Sequence, residues 1–265
     1  MYAFDYKRPS SLDEAAELLR NSDDALVLAG GHTLLPTLKQ RLASPSDLVD
    51  LSAIDELTGI SSSDGTVTIG AMTTHAQVAA SSQVRDAIPA LADLAGGIGD
   101  PQVRNKGTMG GSISNNDPAA DYPAALVALR ATINTTSRSV SADDFFTGMF
   151  ETVLDDGEIV TSVSFQVPSK AAYCKFPNPA SRYAIVGVFV AQGSDGVRVA
   201  VTGAGGCVFR VSEMEAALNQ DFAASSVADV QVSDDGLNED IHASAQYRAH
   251  LITVMAKRAV DKANG

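Results

Sequence analysis

The residues with the clearest chemical potential lie between Gly96 and Asp121, in the sequence GGIGDPQVRNKGTMGGSISNNDPAAD. Glycine lacks a Cβ and accepts positive φ, so glycine-rich backbone can approach a ligand closely. Successive N–H groups in such turns form a concavity that suits an anion, most often a phosphate. The segment shows no helical or strand period long enough to bury a face. The alternative interpretation is an ordinary glycine-rich surface loop.

A second glycine loop lies earlier in the chain, at Leu26–Leu35 (LVLAGGHTLL). It follows an apolar run typical of a β-strand and precedes a segment compatible with a helix. Two such cradles, each supplying main-chain donors, suit a ligand with two phosphates. Gly30 and Gly31 lack the GxGxxG spacing of a nicotinamide dinucleotide site, and no nucleoside triphosphatase loop is present.

Composition and charge limit the classes of partner. The length of 265 residues suggests about two domains. The net charge of -13 argues against non-specific nucleic-acid binding, which needs a basic surface to displace counterions. A bound phosphate must therefore be held by local N–H groups rather than by a positive field. No apolar run approaches the ~18 residues of a membrane span, and a signal-peptide pattern is lacking, so we expect a cytoplasmic protein.

The sequence predicts no catalytic residue and no metal site in this chain. Cys174 and Cys207 are far apart and form no CxxC motif, which argues against an iron–sulfur or zinc site built by this chain alone. Neither a Ser-His-Asp elbow nor a pair of catalytic carboxylates is recognisable. Redox chemistry would therefore belong to a bound cofactor.

Helical and strand patterns are mixed without regular βαβ repetition, which favours an α+β fold over a doubly wound α/β fold. The first 55 residues or so are predicted to form a small β-α-β unit. Asp143–Phe150 holds three of the nine phenylalanines and is predicted to be a buried helical cap. Tyr183–Gln192 and Val197–Gly203 are predicted to pair as a hairpin. His242–Ala263 is predicted to be the longest helix.

Ala29–Pro36 (AGGHTLLP) and Asp100–Leu126 together resemble the flavoprotein family of the molybdenum hydroxylases. Members are the FAD-binding medium subunits of aerobic carbon monoxide dehydrogenases and of xanthine dehydrogenase-like hydroxylases. The resemblance runs over essentially the whole chain, in the order of the family. One departure is the segment 131–142, which is short and polar where the family carries a strand, a turn with glycine and a strand. Further matching segments are Ile69–His75 (IGAMTTH), Asp143–Glu158 (DDFFTGMFETVLDDGE), Lys175–Gly187 (KFPNPASRYAIVG) and Tyr247–Leu251 (YRAHL).

The resemblance implies an α+β chain with a two-subdomain FAD-binding fold of the vanillyl-alcohol-oxidase (PCMH) type. That domain would span residues 1–170, with subdomains at roughly 1–55 and 56–170. A small C-terminal α+β domain, the flavoprotein domain of the carbon monoxide dehydrogenase type, would span residues 171–265.

The resemblance also implies which residues bind FAD. The two glycine loops would wrap its pyrophosphate, and Asp121 would hold hydroxyl groups of the ribityl chain or the neighbouring sugar. The loop residues are Val27, Leu28, Ala29, Gly30, Gly31, His32, Thr33 and Leu34 in the first loop, and Thr108, Met109, Gly110, Gly111 and Ser112 in the second. The residues implied beside the flavin are Ile98, Val160 and Lys175, with His75, Asn115 and Tyr183 in matching segments near it.

Several of these residues also have a structural interpretation. Asp121 alternatively suits a cap for the helix that follows it, and Lys175 a solvated position at a strand end. Lone histidines such as His32 and His75 are more often hydrogen-bonded structural residues than chemical ones. A tyrosine on an apolar strand, such as Tyr183, is by default a core residue.

By resemblance, the chain is an oxidoreductase subunit that takes electrons from two 2Fe-2S clusters of a small subunit onto FAD. It would pass them to an external acceptor such as a quinone, O₂ or NAD⁺. A large subunit with a molybdopterin cofactor would oxidise the substrate, in a dimer of heterotrimers. Two alternatives stay open: a self-sufficient flavin oxidoreductase, and a scaffold subunit that has lost FAD. The substrate is chosen by another chain and stays open.

Overall fold

The computed structural model describes residues 1–265, and its N-terminal unit is a small parallel β-α-β layer. The central strand, Asp47–Asp50, pairs in parallel with Asp5–Lys7 on one side and with Leu26–Leu28 on the other. The first helix begins where the Ser11 hydroxyl group accepts a hydrogen bond from the Glu14 N–H, as its sequence predicts. The elements are β1 (Asp5–Lys7), α1 (Leu12–Arg20), β2 (Leu26–Leu28), α2 (Leu34–Lys39) and β3 (Asp47–Asp50).

The central unit is a five-stranded antiparallel sheet with helices packed on one face. Val67 and Ile69 alternate with half-buried residues along one strand, so that their side chains share the helix-covered core. The strands are β4 (Ile60–Ser63), β5 (Thr66–Gly70), β6 (Thr132–Thr135), β7 (Ser139–Ser141) and β10 (Val160–Gln166), in the order β4-β5-β10-β6-β7. The helices are α3 (His75–Ala80), α4 (Ser82–Ala87), α5 (Pro89–Gly96), α6 (Pro101–Arg104), α7 (Met109–Asn115), α8 (Tyr122–Ala128) and α9 (Ala142–Phe145).

The C-terminal unit is a four-stranded antiparallel sheet that is covered on both faces. Side chains alternate along its longest strand: Phe189 packs into the central core, whereas Val188 and Val190 pack under the last helix. This shared packing fixes the C-terminal sheet against the central unit. The elements are β11 (Lys170–Pro177), β12 (Ala184–Gly193), β13 (Gly196–Thr202), β14 (Phe209–Arg210), α10 (Ser212–Gln220) and α11 (Ala245–Asn264). The predicted β12–β13 hairpin is confirmed, as is the last helix as the longest.

Three local expectations were wrong or needed correction. Asp143–Phe150 is not a buried helical cap, because α9 ends at Phe145 and a short hairpin of β8 (Phe146–Gly148) and β9 (Glu151–Thr152) follows. Phe150 lies in its turn with φ 57° and is 57% exposed. Residues 109–115 do bury a face, since α7 packs into the core. The polar segment 131–142 forms the β6–β7 hairpin despite lacking glycine.

None of the helices combines the length and the apolar character that crossing a membrane requires.

Candidate cofactor-binding site

The two glycine loops line one cleft of about 600 Å³, a size typical of pockets that enclose organic ligands. The first loop follows β2, and the second leads into α7. The cleft continues past Asp121 to Tyr183, at the end of the segment that joins β11 to β12. Residues from all three units of the chain therefore meet around one cavity.

The first loop presents five successive backbone donors to this cleft. The N–H groups from Gly30 to Leu34 donate no hydrogen bond within the protein, and the first N–H that does so is that of Leu35, to the Gly31 carbonyl oxygen at 3.0 Å. Gly31 has φ 72°, a conformation that favours glycine. These residues are exposed or half-buried, so their N–H groups are open to solvent and available to an acceptor in the cleft. An anion with several oxygens matches this run of donors.

The two loops touch backbone to backbone at Gly30. A Cβ on Gly30 would lie 2.1 Å from the carbonyl oxygen of Lys106 and 2.8 Å from the Cα of Gly107. Both neighbours are main-chain atoms, so neither could move aside cheaply. Glycine at position 30 is therefore what allows the two loops to close on each other.

The second loop supplies fewer main-chain donors than its sequence predicts. The N–H groups of Met109 and Gly110 donate to the carbonyl oxygens of Thr73 and Ala71, at 3.0 and 2.8 Å. The Gly111 N–H donates to the Thr108 hydroxyl group at 3.1 Å, as in a helix cap. These three N–H groups are satisfied inside the protein, and the expectation was wrong for them. The glycines instead permit close packing, because a Cβ on Gly110 would lie 2.6 Å from that of Ala71.

What the second loop offers the cleft is side chains. Ser112, Ser114 and Asn115 all line it, and none of their side chains makes a hydrogen bond within the protein. Hydroxyl and amide groups of this kind both donate and accept hydrogen bonds. These three side chains therefore give the cleft uncharged polar groups that are free to bind a ligand.

Asp121 lies deeper in the cleft, and only 4% of it is exposed. Its Oδ1 accepts a hydrogen bond from the Tyr173 hydroxyl group at 2.5 Å and lies 2.9 Å from the Lys175 ammonium group. Lys175 also donates to the Gly97 carbonyl oxygen at 3.0 Å. Burial raises the pKa of the Asp121 carboxyl group, although Lys175 and Tyr173 oppose that rise. Asp121 makes no helix-capping hydrogen bond, and Lys175 is paired rather than solvated, so their structural alternatives do not hold.

Tyr183 is not a core residue, since it is 46% exposed and lines the cleft. The preceding Arg182 has φ 64° and donates to the Gly99 carbonyl oxygen at 3.3 Å. This contact holds the β11–β12 connection close to the loop before α6. Tyr183 is therefore placed at the wall of the cleft by the C-terminal unit.

His75 is almost fully buried, and 4% of it is exposed at the cleft. Burial, and to a smaller extent the proximity of His32 and Arg104, lowers the pKa of His75 to about 4. Its imidazole group is therefore neutral near pH 7. Its Nδ1 atom has no hydrogen-bond partner.

The structure brings most of the predicted residues together. Leu28, Met109 and Lys175 do not line the cleft: the Met109 side chain lies in the core, and Lys175 stands behind Asp121. Their contact with a cofactor stays a prediction. The predicted residues that line the cleft are Val27, Ala29, Gly30, Gly31, His32, Thr33, Leu34, His75, Ile98, Thr108, Gly110, Gly111, Ser112, Asn115, Asp121, Val160 and Tyr183.

Polar residues that line the cleft without having been predicted from the sequence include Ser114, Asp117 and Arg182. Ser114 and Asp117 lie inside the glycine-rich segment, where their polarity was a usable signal. Arg182 adjoins Tyr183 in a matching segment, but nothing in its sequence context indicates a left-handed backbone.

Comparison with known proteins agrees with this geometry. The family described as FAD binding domain in molybdopterin dehydrogenase matches residues 2–169. The chain is 36% identical to the carbon monoxide dehydrogenase medium chain of Hydrogenophaga pseudoflava, over 98% of this chain and 96% of that one. It is 34% identical to the nicotine 6-hydroxylase medium subunit of Paenarthrobacter nicotinovorans, over 98% of this chain and 97% of that subunit.

The fold is similar to that of solved relatives as well. A chain of reconstituted CO dehydrogenase from Oligotropha carboxidovorans superposes with a TM-score of 0.91 at 32% sequence identity, covering 98% of this chain and 97% of that one. The matches run over nearly the full length of both partners. This chain therefore belongs to the family of FAD-binding medium subunits of the molybdenum hydroxylases and is an oxidoreductase subunit.

Proposed function

We propose that the cleft holds FAD, with the pyrophosphate on the first glycine loop. The observation that carries this proposal is the run of five unpaired N–H groups from Gly30 to Leu34, which faces the cleft where the two loops touch. Hydrogen bonds to a charged group are worth about 1.5–3 kcal/mol each. Two or three of them would account for a large part of the binding free energy.

The rest of the cofactor would extend along the cleft. Asp121, kept in place by Tyr173 and Lys175, would accept hydrogen bonds from sugar or ribityl hydroxyl groups. Ile98 and Val160 would supply apolar contacts to the flavin ring. Tyr183 would cover the ring from the C-terminal side, with the side chains of the second loop as further polar contacts.

When bound, FAD supplies the redox chemistry, because it accepts electrons singly or in pairs. The protein's own residues bind it, orient it and shield it. We propose that a small subunit with two 2Fe-2S clusters delivers the electrons, and that a large subunit with a molybdopterin cofactor oxidises the substrate. A quinone, O₂ or NAD⁺ would be the external acceptor. The assembly would be a dimer of heterotrimers. A scaffold without FAD is less well supported, since the five donors are intact.

We further propose that the fold is of the vanillyl-alcohol-oxidase (PCMH) type, with an FAD-binding domain at 1–170 and a C-terminal domain at 171–265. The separate parallel and antiparallel sheets of the first 170 residues support two subdomains. The cleft between the glycine loops lies where these two subdomains meet.

The direct test is to titrate the purified chain with FAD, comparing Gly30→Ala with Gly193→Ala. The added Cβ at position 30 would collide with Lys106 at 2.1 Å and open the contact between the loops. Loss of two charge-assisted hydrogen bonds would raise the Kd for FAD by about 100-fold or more. Gly193 has no atom within 4 Å of the added Cβ, so that variant should bind normally. Equal affinity of both variants would contradict the placement of the pyrophosphate.

The assembly is tested separately by co-expressing the chain with candidate large and small subunits. The native mass of the purified complex should correspond to two copies of each subunit. Flavin reduction by substrate should require all three. Reduction of the isolated chain by substrate would instead favour the self-sufficient oxidoreductase.

A further inference from the structure

A second cavity, of about 440 Å³, adjoins the cleft of the two glycine loops. Asp117, Ser181 and Tyr183 line both cavities, so the two meet at these residues. The volume of the second cavity is within the ~300–1,000 Å³ that is typical of pockets for small molecules. A ligand in it would therefore touch residues that also border the cleft.

Asn178 offers the second cavity a hydrogen-bond donor that the protein does not use. The residue lines the cavity, and only 9% of it is exposed. Its Oδ1 accepts from the N–H groups of Ala180 and Ser181, at 2.9 and 3.2 Å, and these two bonds fix which way the amide group points. Its Nδ2 donates to no atom of the protein, although it is not sealed from solvent. A fixed donor of this kind suits an acceptor oxygen of a ligand.

Two large aromatic side chains that the core does not bury line the same cavity. Phe150 is 57% exposed and comes from the turn of the β8–β9 hairpin, where its φ of 57° is unusual for a bulky residue. Tyr183 is 46% exposed and comes from the connection between β11 and β12. Aromatic side chains bind flat rings through large contact areas. The cavity is therefore suited to a planar ligand.

The charges that line the cavity disfavour an anionic ligand. Asp117, Glu239 and Asp240 contribute three carboxylates. Arg248 contributes one guanidinium group, which is already paired with Asp240 at 2.7 Å. Two negative charges are thus left in excess, and like charges repel an anion.

The backbone of the cavity does not offset this repulsion. The N–H groups of Ala184 and Gly203 donate to the carbonyl oxygens of Ala119 and Pro118, at 3.3 and 2.8 Å. The Ala119 N–H donates to the Asp117 carboxylate at 2.8 Å. The cavity therefore lacks a run of free N–H groups like that of the first glycine loop, and it is unsuited to phosphates.

We propose that the second cavity binds the external electron acceptor, and that this acceptor is a quinone. Its flat, uncharged ring lies against Phe150 and Tyr183, and one of its carbonyl oxygens accepts a hydrogen bond from Nδ2 of Asn178. Reduction of a quinone to its quinol takes two electrons and two protons, which reduced FAD (FADH₂) supplies as it returns to FAD. The inference rests on the proposed function, because FAD in the adjoining cleft is the source of those electrons. NAD⁺ is disfavoured, since its pyrophosphate would find no cradle here.

Binding to the cavity is measured first, by equilibrium dialysis of the full chain against duroquinone. All ring positions of this benzoquinone carry methyl groups, so the free thiols of Cys174 and Cys207 do not add to it. Asn178→Asp keeps an oxygen for the bonds from Ala180 and Ser181 but replaces the donor with an acceptor. This variant should raise the Kd for duroquinone by about 10-fold. A wild-type Kd in Asn178→Asp, or no binding by the wild type, would overturn the proposal.

A second pair of variants tests the aromatic contact. Phe150→Asn removes the ring, and asparagine tolerates positive φ. It should raise the Kd by about 2- to 10-fold. Met149→Ala is the matched control, because Met149 is 53% exposed in the same turn but does not line the cavity. Equal loss of affinity in Phe150→Asn and Met149→Ala would contradict the contact, and thermal unfolding checks that all variants are folded.

The role as acceptor site is tested on the FAD-loaded chain after photochemical reduction. Oxidation of the flavin by duroquinone and by O₂ is followed by absorbance in a stopped-flow instrument. The ratio of the duroquinone rate to the O₂ rate should fall by about 10-fold in Asn178→Asp, in parallel with the loss of affinity. An unchanged ratio, or faster oxidation of the wild type by NAD⁺ than by duroquinone, would contradict the assignment.

These outcomes separate the two proposals. A wild-type chain that binds no FAD, alone or with its partner subunits, would contradict the proposed function, while dialysis would still decide whether the cavity binds a quinone. A chain that binds FAD, with Asn178→Asp changing neither the Kd for duroquinone nor the ratio of rates, would contradict only the quinone site.

Discussion

Acid should destabilise this protein through His75 in particular. The ordinary pKa of a histidine is 6.5, and burial lowers that of His75 to about 4 in the folded state. Between these values the unfolded chain binds more protons than the folded one. The contribution of His75 to stability is therefore complete above pH 6.5 and is lost as the pH falls toward 4.

The size of the effect follows from the two pKa values. Their difference is 6.5 − 4 = 2.5, and each pKa unit corresponds to ~1.4 kcal/mol. The free energy of unfolding should thus fall by about 3 kcal/mol from this residue alone as the pH is lowered from neutrality to about 4. That is a large share of the ~5–15 kcal/mol that stabilises a typical domain.

Urea unfolding, followed by circular dichroism at several pH values, measures this loss in the wild type and in His75→Gln. Glutamine does not titrate, whereas the carboxyl groups titrate in both proteins and cancel in the comparison. The stability difference between the two should shrink or reverse as the pH falls below 6. His250→Gln, at an exposed position, is the matched control and should follow the wild type. Parallel curves for wild type and His75→Gln would refute the argument.

Two further predictions concern the walls of the cleft. Gly110→Ala should lower the free energy of unfolding by about 1–3 kcal/mol in urea titrations, because its Cβ would lie 2.6 Å from that of Ala71. Gly96→Ala is the control: the nearest atom to its Cβ is 3.8 Å away, so its free energy of unfolding should change little. Asp121→Asn should lower the free energy of unfolding by about 3 kcal/mol, because it leaves the Lys175 ammonium group buried without a counter-charge. A thermal midpoint equal to that of the wild type would show that this ion pair does not stabilise the fold.

The first glycine loop could be predicted from sequence because its features are local. An apolar strand, two glycines and a helix start follow each other within ten residues, and each has its own signal. The position of Gly30 against Lys106 is different in kind. It depends on contact between segments that are 76 residues apart, since 106 − 30 = 76, and no local pattern encodes it.

The main-chain donors predicted for the second glycine loop are largely used within the protein, and the reason is not visible in the sequence. A glycine-rich segment predicts accessible N–H groups only if nothing else in the fold accepts from them. Here the carbonyl oxygens of Ala71 and Thr73, which follow β5, accept hydrogen bonds from the N–H groups of Gly110 and Met109. Met109 and Gly110 begin α7, and the Met109 side chain is buried in the core. The glycines therefore serve packing, which their composition alone does not distinguish from ligand binding.

The buried helical cap predicted from the phenylalanines between 143 and 150 was wrong for a related reason. Three aromatic residues in eight indicate burial on average, but Asn116 determines the local path. Its side-chain amide donates to the carbonyl oxygens of Gly148 and Glu151, at 2.8 and 2.7 Å, and its own carbonyl oxygen accepts from the Phe150 N–H. These bonds stabilise a hairpin whose turn carries Phe150 outward.

A net charge of -13 would be expected to oppose the binding of a diphosphate, but the structure gives a reason why this opposition is weak. Charges in solvent are screened over ~8 Å at physiological ionic strength, so the surface carboxylates contribute little inside a closed cleft. Backbone N–H groups act at contact distance and need no positive field. Arg104, whose charge acts on His75, is already bound to the carbonyl oxygens of Ile98 and Gly99. Neutral backbone donors therefore offer a diphosphate contacts that do not depend on a positive field.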